Sequence, residues 1–407
     1  MNLTESLHRL ALEKESYYRE WLYDLPIIVR QSTYDRLKDA HDILHRLIRH
    51  FVLHYDRYAD LMPISEKARQ IIAQWSDRAY NVGTFRTDLI FGWDGSMKFI
   101  EITCRFSLNG YFLGPMMNIY GEQYLERSRS DSFSNINPYE SLLDHIEKLR
   151  GDTGDIYVLV GDDRGNESKL YNQLYSLMGV TVHFINYRDI DSRLDDMAGQ
   201  LIVMELSLEE IESLDISTIH KLSTQKIIND IRTILLIHDK RFFSVLGNNE
   251  FLRDVLSTEE IILFKSYCLP TYAWEATDVE LRDDVRMNKN KWIIKHRSLG
   301  KSKEIYAGVN QTNAAWGTVV DGLDHQYTVQ RWLEQRIFPG SVDTAQYNDY
   351  VTGTLLFFDE HFYGFGDFRT SSNPVINKTD HRKMCSVILA DDDIQNLQFD
   401  QGVHHIL

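Results

Sequence analysis

Cysteine is scarce in this chain: Cys104, Cys268 and Cys385 are the only three in 407 residues. They lie far apart without C-x-x-C spacing, which excludes a disulfide framework and a zinc ribbon. Proline is equally sparse at seven residues, and no low-complexity tract occurs, so long disordered linkers are not expected. No apolar run approaches the length that spans a bilayer. The first residues, Met1-Asn2-Leu3-Thr4-Glu5, are polar and lack a basic region ahead of an apolar one, so no secretory signal is read and a cytoplasmic setting is expected. Positive charge is in deficit. The formal net charge of −16 argues against nonspecific binding to nucleic acid or anionic membranes, although local basic clusters can still bind phosphate. GxxxxGK[ST], GxGxxG and HExxH are absent, and no internal repeat of fixed period is found.

What is present is a large apolar fraction, 43%, in a chain long enough for one multilobed unit or two to three domains. Up to about residue 80 the pattern reads mainly as helix, with Leu37, Ile43, Leu47 and Phe51 at helical spacing. Residues 112–150 read as helix and loop, punctuated by Ser/Asp/Asn-rich composition over 128–138. A buried-strand run over 155–160, a helix over 168–178, Gly179 as its stop and a strand over 180–185 form a strand–helix–strand unit of parallel type. The runs 201–204 and 233–237 are candidates for further strands of that sheet. In the last third, 291–295 and 327–330 read as strands, and 298–303 as a small, basic, flexible segment. A second hairpin is read over 350–358 and 362–368, ending at Arg369.

The most telling stretch is a first hairpin, residues 85–90 and 97–103, turning through Gly92-Trp93-Asp94-Gly95-Ser96. Strict alternation places Arg86, Asp88 and Ile90 on one face, and Phe99, Glu101 and Thr103 on one face of its partner. If those faces coincide, two carboxylates and a guanidinium are presented together. Carboxylate oxygens suit hard cations such as Mg²⁺, and an adjacent arginine suits phosphate.

The sequence at this point resembles a known family. Arg86-x-Asp88 followed by Glu101-x-Thr103 is similar to the R-x-D … E-x-N signature of ATP-grasp ligases. The order of motifs resembles the glutathionylspermidine synthase-like, circularly permuted members, in which the metal carboxylates precede the nucleotide lysines. The segment 237–241 resembles the one carrying the first ATP lysine, here Lys240. Leu269-Pro270-Thr271 and Trp292-Ile293-Ile294-Lys295 resemble the elements around the second lysine, and Val329-Gln330 the strand leading to the adenine-contacting linker. Residues 353–369 resemble the paired strands that end in the family arginine, Arg369.

The resemblance covers roughly residues 76–375. It implies a mixed α/β (α+β) protein of permuted ATP-grasp architecture. Its regions would be helical 1–75, metal-binding hairpin and core 76–150, Rossmann-like pre-ATP-grasp 151–235, and nucleotide-binding lobes 236–407. It implies ATP and Mg²⁺ as cofactors. Asp88, Glu101 and Thr103 would serve the metal, Lys240, Lys295 and Gln330 the nucleotide, and Lys301 or Lys303 the γ-phosphate. Arg86 and Arg369 would stabilise transition-state charge.

The activity implied is ADP-forming carboxylate–amine ligation through an acyl phosphate, with small-molecule or peptide carboxylates and amines as substrates. A noncatalytic nucleotide-binding scaffold and a phosphotransferase stand as alternatives. Thr103 departs from the family asparagine, and its hydroxyl is the weaker Mg²⁺ ligand. Asn109 is a candidate substitute.

The remaining polar residues have plainer readings. The pairs His41/His45 and His50/His54 share helix faces at i, i+4 but lack zinc partners, so they read as solvated or packing residues. His404-His405 reads as a tail, and Arg164 as a loop residue at a βα junction where substrates often bind. Oligomeric state is not legible.

Overall fold

The computed structural model describes residues 5–6, 9–10, 12–13, 20–106, 121, 123–126, 133–135, 139–151, 154–163, 168–300, 302–376, 383–392 and 405–407. Lys301, Asn109 and Arg164, together with most of the 112–138 region, lie outside the described residues.

An antiparallel sheet organises the molecule. Its order is Lys383–Cys385, Phe368–Ser371, Ala345–Phe358, Thr84–Phe91 and Met97–Thr103, with Phe338–Val342 and His361–Phe365 also pairing on the long Ala345–Phe358 strand. The hairpin expected at 85–103 therefore does not stand alone. One of its strands is paired along its length with Ala345–Phe358, more than 250 residues away in sequence. The fold thus draws this sheet from both the 76–150 and 236–407 ranges.

The helix Gln31–Leu53 lies against the sheet. Leu37, Ala40, Leu44, Leu47, Ile48 and Phe51 are buried along it at the spacing of a broad apolar stripe. Immediately before it, Ile27–Arg30 is a strand and not helix. It pairs in parallel with Val387–Ala390 and with His405–Ile406, so the histidine read as a tail is paired in a sheet.

The parallel unit is present, with order Val182–Asn186, Ile156–Val160, Leu201–Met204, Lys226–Ile228. The segment expected as its last strand, 233–237, is instead the helix Ile231–Leu236. Asp230 caps that helix by accepting from the Arg232 backbone N–H, and every residue of the helix is buried. An apolar run buried on all sides has no periodicity by which helix and strand can be told apart. Length and the Asn229-Asp230 breaker decide it.

A fourth sheet is small and antiparallel: Ile305–Ala307, Trp292–His296, Tyr327–Arg331 and Thr271–Ala273. Its own core is built on Trp274, Trp292, Trp316 and Val329. Lys295 reaches from this sheet to the end of the first hairpin, so the face of the central sheet bearing the polar residues lies beside it. Among the described residues, no helix is long and apolar enough to cross a membrane.

Candidate nucleotide site

Register places the expected residues. Asp88 pairs directly with Glu101 on one side and with Thr354 on the other. Arg86 pairs with Thr103, and Arg369 with Thr352. Directly paired residues of antiparallel strands point to the same face, so Arg86, Asp88, Glu101, Thr103, Thr354 and Arg369 share one surface.

Strict alternation fails at one position, however. A bulge between Asp88 and Leu89 makes Leu89 pair with Phe99, leaving Ile100 as the extra residue. Phe99 is thereby turned to the opposite face from Glu101. It is buried at 2% exposure, with its ring stacked on Tyr267 at 5.2 Å. The bulge has a use: the Ile100 carbonyl accepts from Lys295 Nζ at 3.1 Å.

The charged groups meet. Arg86 donates to both oxygens of Asp88, Nε to Oδ1 at 2.7 Å and Nη2 to Oδ2 at 3.2 Å. Arg369 Nη2 reaches Asp88 Oδ2 at 3.0 Å, while its Nε lies 3.3 Å from Asp367 Oδ2. Lys240 Nζ lies 3.1 Å from Glu101 Oε1 and donates to the Leu299 carbonyl at 2.8 Å, which ties it to the basic loop. Lys295 Nζ also donates to Gln330 Oε1 at 2.9 Å.

Burial alone would push the Glu101 carboxyl up. The ammonium groups of Lys240 and Lys295 outweigh it and hold the group at about 2. Burial pulls Lys295 down to about 8, with Glu101 opposing. For Arg86 burial disfavours the cation, but Asp88 and Asp367 more than compensate, so its guanidinium is held charged.

Lys240 is presented on a turn that has little freedom. Asp239 is fully buried and pairs with Arg241 at 2.9 Å; Arg241 reaches on to Glu275 at 3.1 Å. The Lys240 backbone N–H donates to the Arg297 carbonyl at 2.9 Å.

Not every expected residue enters the cluster. Lys303 is exposed and its side chain is not among the contacts at the site. Gln330 is 2% exposed, and both ends of its amide are used within the protein: Oε1 accepts from Lys295, and Nε2 donates to Thr271 Oγ1 at 2.8 Å. Its observed job is to hold Lys295.

Three neighbours were not anticipated. Asp367 accepts from Thr354 Oγ1 at 3.1 Å and supports Arg369. Its signal was the carboxylate two residues from an arginine, the same spacing as Arg86 and Asp88. His238, two residues before Lys240 in sequence, accepts from the Cys104 N–H at 3.4 Å. Burial, with Lys240 and Arg105 nearby, drives its imidazole down to about 3, so it is neutral. Asn229 accepts from the Thr84 N–H and hydroxyl at 2.7 and 2.9 Å and donates to the Cys104 carbonyl at 2.7 Å. It joins the start of one hairpin strand to the end of the other, in a left-handed conformation (φ 68°) that asparagine tolerates. Nothing local in the sequence singled it out.

As to a metal, no cluster of three or more His, Cys, Asp or Glu side chains suited to an ion occurs among the described residues. The donor set on the face is two carboxylates and the Thr103 hydroxyl. That is small for a resident ion. It does fit Mg²⁺, which keeps several waters and is commonly held by one or two carboxylates plus the phosphates of its nucleotide.

Comparison with known proteins agrees at the level of fold. The AnkG N-terminal domain family matches residues 40–236, a span that takes in the later part of the long helix, the first hairpin and the parallel sheet and stops just before Lys240. Among solved structures, the chain is similar to a glutathione synthetase-like effector from Globodera pallida in its apo form. The TM-score is 0.55 and the identity 11%, covering 94% of this chain and 97% of that one. At that identity the likeness is one of fold alone. No curated protein matches.

Proposed function

We propose that this protein is an ATP-dependent carboxylate–amine ligase of the permuted ATP-grasp type, using ATP and Mg²⁺. The observation that carries the reading is the meeting of Asp88, Glu101, Arg86, Arg369, Lys240 and Lys295 on one face beside the small antiparallel sheet. Four cations gathered around Asp88 and Glu101, with Asp367 behind Arg369, in the order the motifs predict, suit a metal–triphosphate.

Asp88 and Glu101, with Thr103, would hold the metal, which would supply charge neutralisation to the triphosphate. Lys240 and Lys295 are point charges for phosphate oxygens. Arg86 and Arg369 converge on Asp88 and offer planar donors where charge builds on the transferred phosphoryl group and on the carbonyl under attack. A carboxylate attacks the γ-phosphorus and ADP leaves; an amine then displaces phosphate from the acyl phosphate. No covalent protein nucleophile is needed, so the work of the chain is positioning and water exclusion. Gln330 serves by fixing Lys295.

The test is ADP release across a panel of carboxylates and amines, with hydroxylamine as a trap. Hydroxamate is expected when carboxylate and ATP are supplied without the amine, and one ADP per amide when the amine is present. Asp88→Asn and Glu101→Gln should each lower turnover about a hundredfold or more while the fold survives. A stable phosphorylated product with no amide from any amine points to the phosphotransferase. Absence of turnover with intact nucleotide binding points to the scaffold.

A further inference from the structure

Arg369 faces two carboxylates and is hydrogen-bonded to one. Its Nη2 donates to Asp88 Oδ2 at 3.0 Å. Its Nε lies 3.3 Å from Asp367 Oδ2, yet this buried N–H makes no hydrogen bond among the described residues. The carboxylate is within reach but out of line, so a modest torsional change of the side chain completes the bond. A buried guanidinium N–H left unmade is costly, which favours that change whenever the rest of the side chain is free to follow.

Asp367 is held in place for this. Thr354 Oγ1 donates to its Oδ1 at 3.1 Å and lies 3.0 Å from its main-chain carbonyl. Thr354 is fully buried and pairs directly with Asp88, so one strand fixes both carboxylates. Gly366 makes room for the arrangement: a Cβ at that position would collide with the Thr354 hydroxyl. Asp88 is more divided. Arg86 reaches both of its oxygens, at 2.7 and 3.2 Å, and Arg369 shares the second. On the face as a whole, Arg86, Arg369, Lys240 and Lys295 stand against Asp88, Glu101 and Asp367. Lys240 and Lys295 are both directed to Glu101, and Arg86 feels Asp367 as well as Asp88. If Asp88 turns to any other partner, Asp367 is therefore the carboxylate placed to keep Arg369 neutralised.

We infer that Arg369 has two stations, Asp88 and Asp367, and that Asp367 is a positioning residue which keeps the guanidinium on this face when Asp88 is engaged elsewhere. The two-station geometry stands on the contacts alone; its consequence for turnover rests on the ligase reading above. Either carboxylate suffices to hold Arg369, and loss of both releases it.

The experiment uses the full chain without nucleotide. Modification by phenylglyoxal is followed at each arginine by peptide mass spectrometry. Arg57 and Arg188, with side chains 61% and 56% exposed, are the fast references; Arg241, 2% exposed, is the slow one and reports an intact fold. Arg369 should react slowly in the unaltered protein and within about threefold of that rate in Asp88→Asn and in Asp367→Asn, whose amide oxygen still accepts from Thr354. In the double variant it should react about tenfold faster or more, with Arg241 still slow. In Asp88→Asn the Arg369 Nε–H proton resonance should also move downfield as its bond to Asp367 forms. That single variant decides the matter if the double one does not fold: a tenfold faster Arg369, or an unmoved Nε–H resonance, overturns the second station. So does a folded double variant in which Arg369 stays slow. In the ligase assay, Asp367→Asn should lower kcat about tenfold with KM for ATP within about threefold, because Arg369 then stays on Asp88. An unchanged kcat overturns the positioning role. Two stations in a chain that turns over no substrate pair would overturn the ligase reading alone.

Discussion

At the residue scale, Lys295 concentrates the electrostatic problem of this site. It is enclosed by Gln330, the Ile100 carbonyl and Glu101, and burial brings its ammonium down to about 8. Between pH 7 and 8 it still carries its charge; as pH rises through about 8 it loses it. Nucleotide affinity should therefore fall above about pH 8, the logarithm of the binding constant approaching a slope of −1 from this group. An ordinary lysine would postpone that loss by some two pH units. Titration calorimetry from pH 7 to 9.5 measures it, and Lys295→Arg, which stays charged, should flatten the profile. Asn229 is a purely architectural counterpart. Asn229→Ala removes the acceptor for the Thr84 N–H and hydroxyl and the donor to the Cys104 carbonyl, all buried, at a position with φ 68°. A loss of about 2–4 kcal/mol is expected in urea unfolding.

At the scale of elements, the interface between the helix Gln31–Leu53 and the central sheet contains a weakness to acid. His41 is wholly buried, its ring stacked on Phe357 at 3.4 Å, and neither ring nitrogen has a hydrogen-bond partner. Burial holds its protonation well below the usual 6.5; His45, one turn on, is brought by burial down to about 4. In the unfolded chain both take up protons below about 6.5. The unfolded state then binds more protons than the folded one, so stability falls as pH falls from about 6.5. The slope is up to about 1.4 kcal/mol per pH unit for each group. His238, at about 3, adds to the same trend. His41→Leu should remove one group's share of the acid slope and raise stability at neutral pH by about 1 kcal/mol, since an unsatisfied polar ring is replaced by an apolar one. Chemical denaturation at pH 7, 6 and 5 measures both effects.

At the scale of the whole molecule, two sheets, the central one and the one holding Ile27–Arg30, make early and late parts of the chain interdependent. Thr84–Phe91 is paired along its length with Ala345–Phe358, and Ile27–Arg30 with Val387–Ala390 and His405–Ile406. A chain ending after Arg331 keeps the hairpin, the parallel sheet and the small antiparallel sheet, but Thr84–Phe91 loses its second partner, Ala345–Phe358, and the buried Phe85 loses its contact with Phe357. Such a truncation should lack a cooperative unfolding transition and be cleaved rapidly by protease; circular dichroism melts and limited proteolysis read this directly. The same interdependence separates this fold from a string of independent domains.

Local chemistry let the sequence alone determine a good deal. Alternation and turn composition specify the 85–103 hairpin, because a strand with one polar face writes its register in a period of two. The ordering of Arg86, Asp88, Glu101, Lys240, Lys295 and Arg369 named the charged groups that meet, because the spacing of motifs along the chain survives folding. The tertiary structure alone decided what depends on partners distant in sequence. Phe99 turns to the core because a bulge at Ile100 breaks the alternation, and that bulge answers a lysine almost 200 residues on. The 233–237 run became helix because it is enclosed on every side, where the pattern that separates helix from strand vanishes. Gln330 turned inward to Lys295 and Thr271, and Asn229 became a three-way link, because buried hydrogen-bonding groups must be satisfied by whatever the fold brings near. The carboxylates and cations of the site came to neutralise one another for the same reason: charge withdrawn from water finds its counter-charge within the chain.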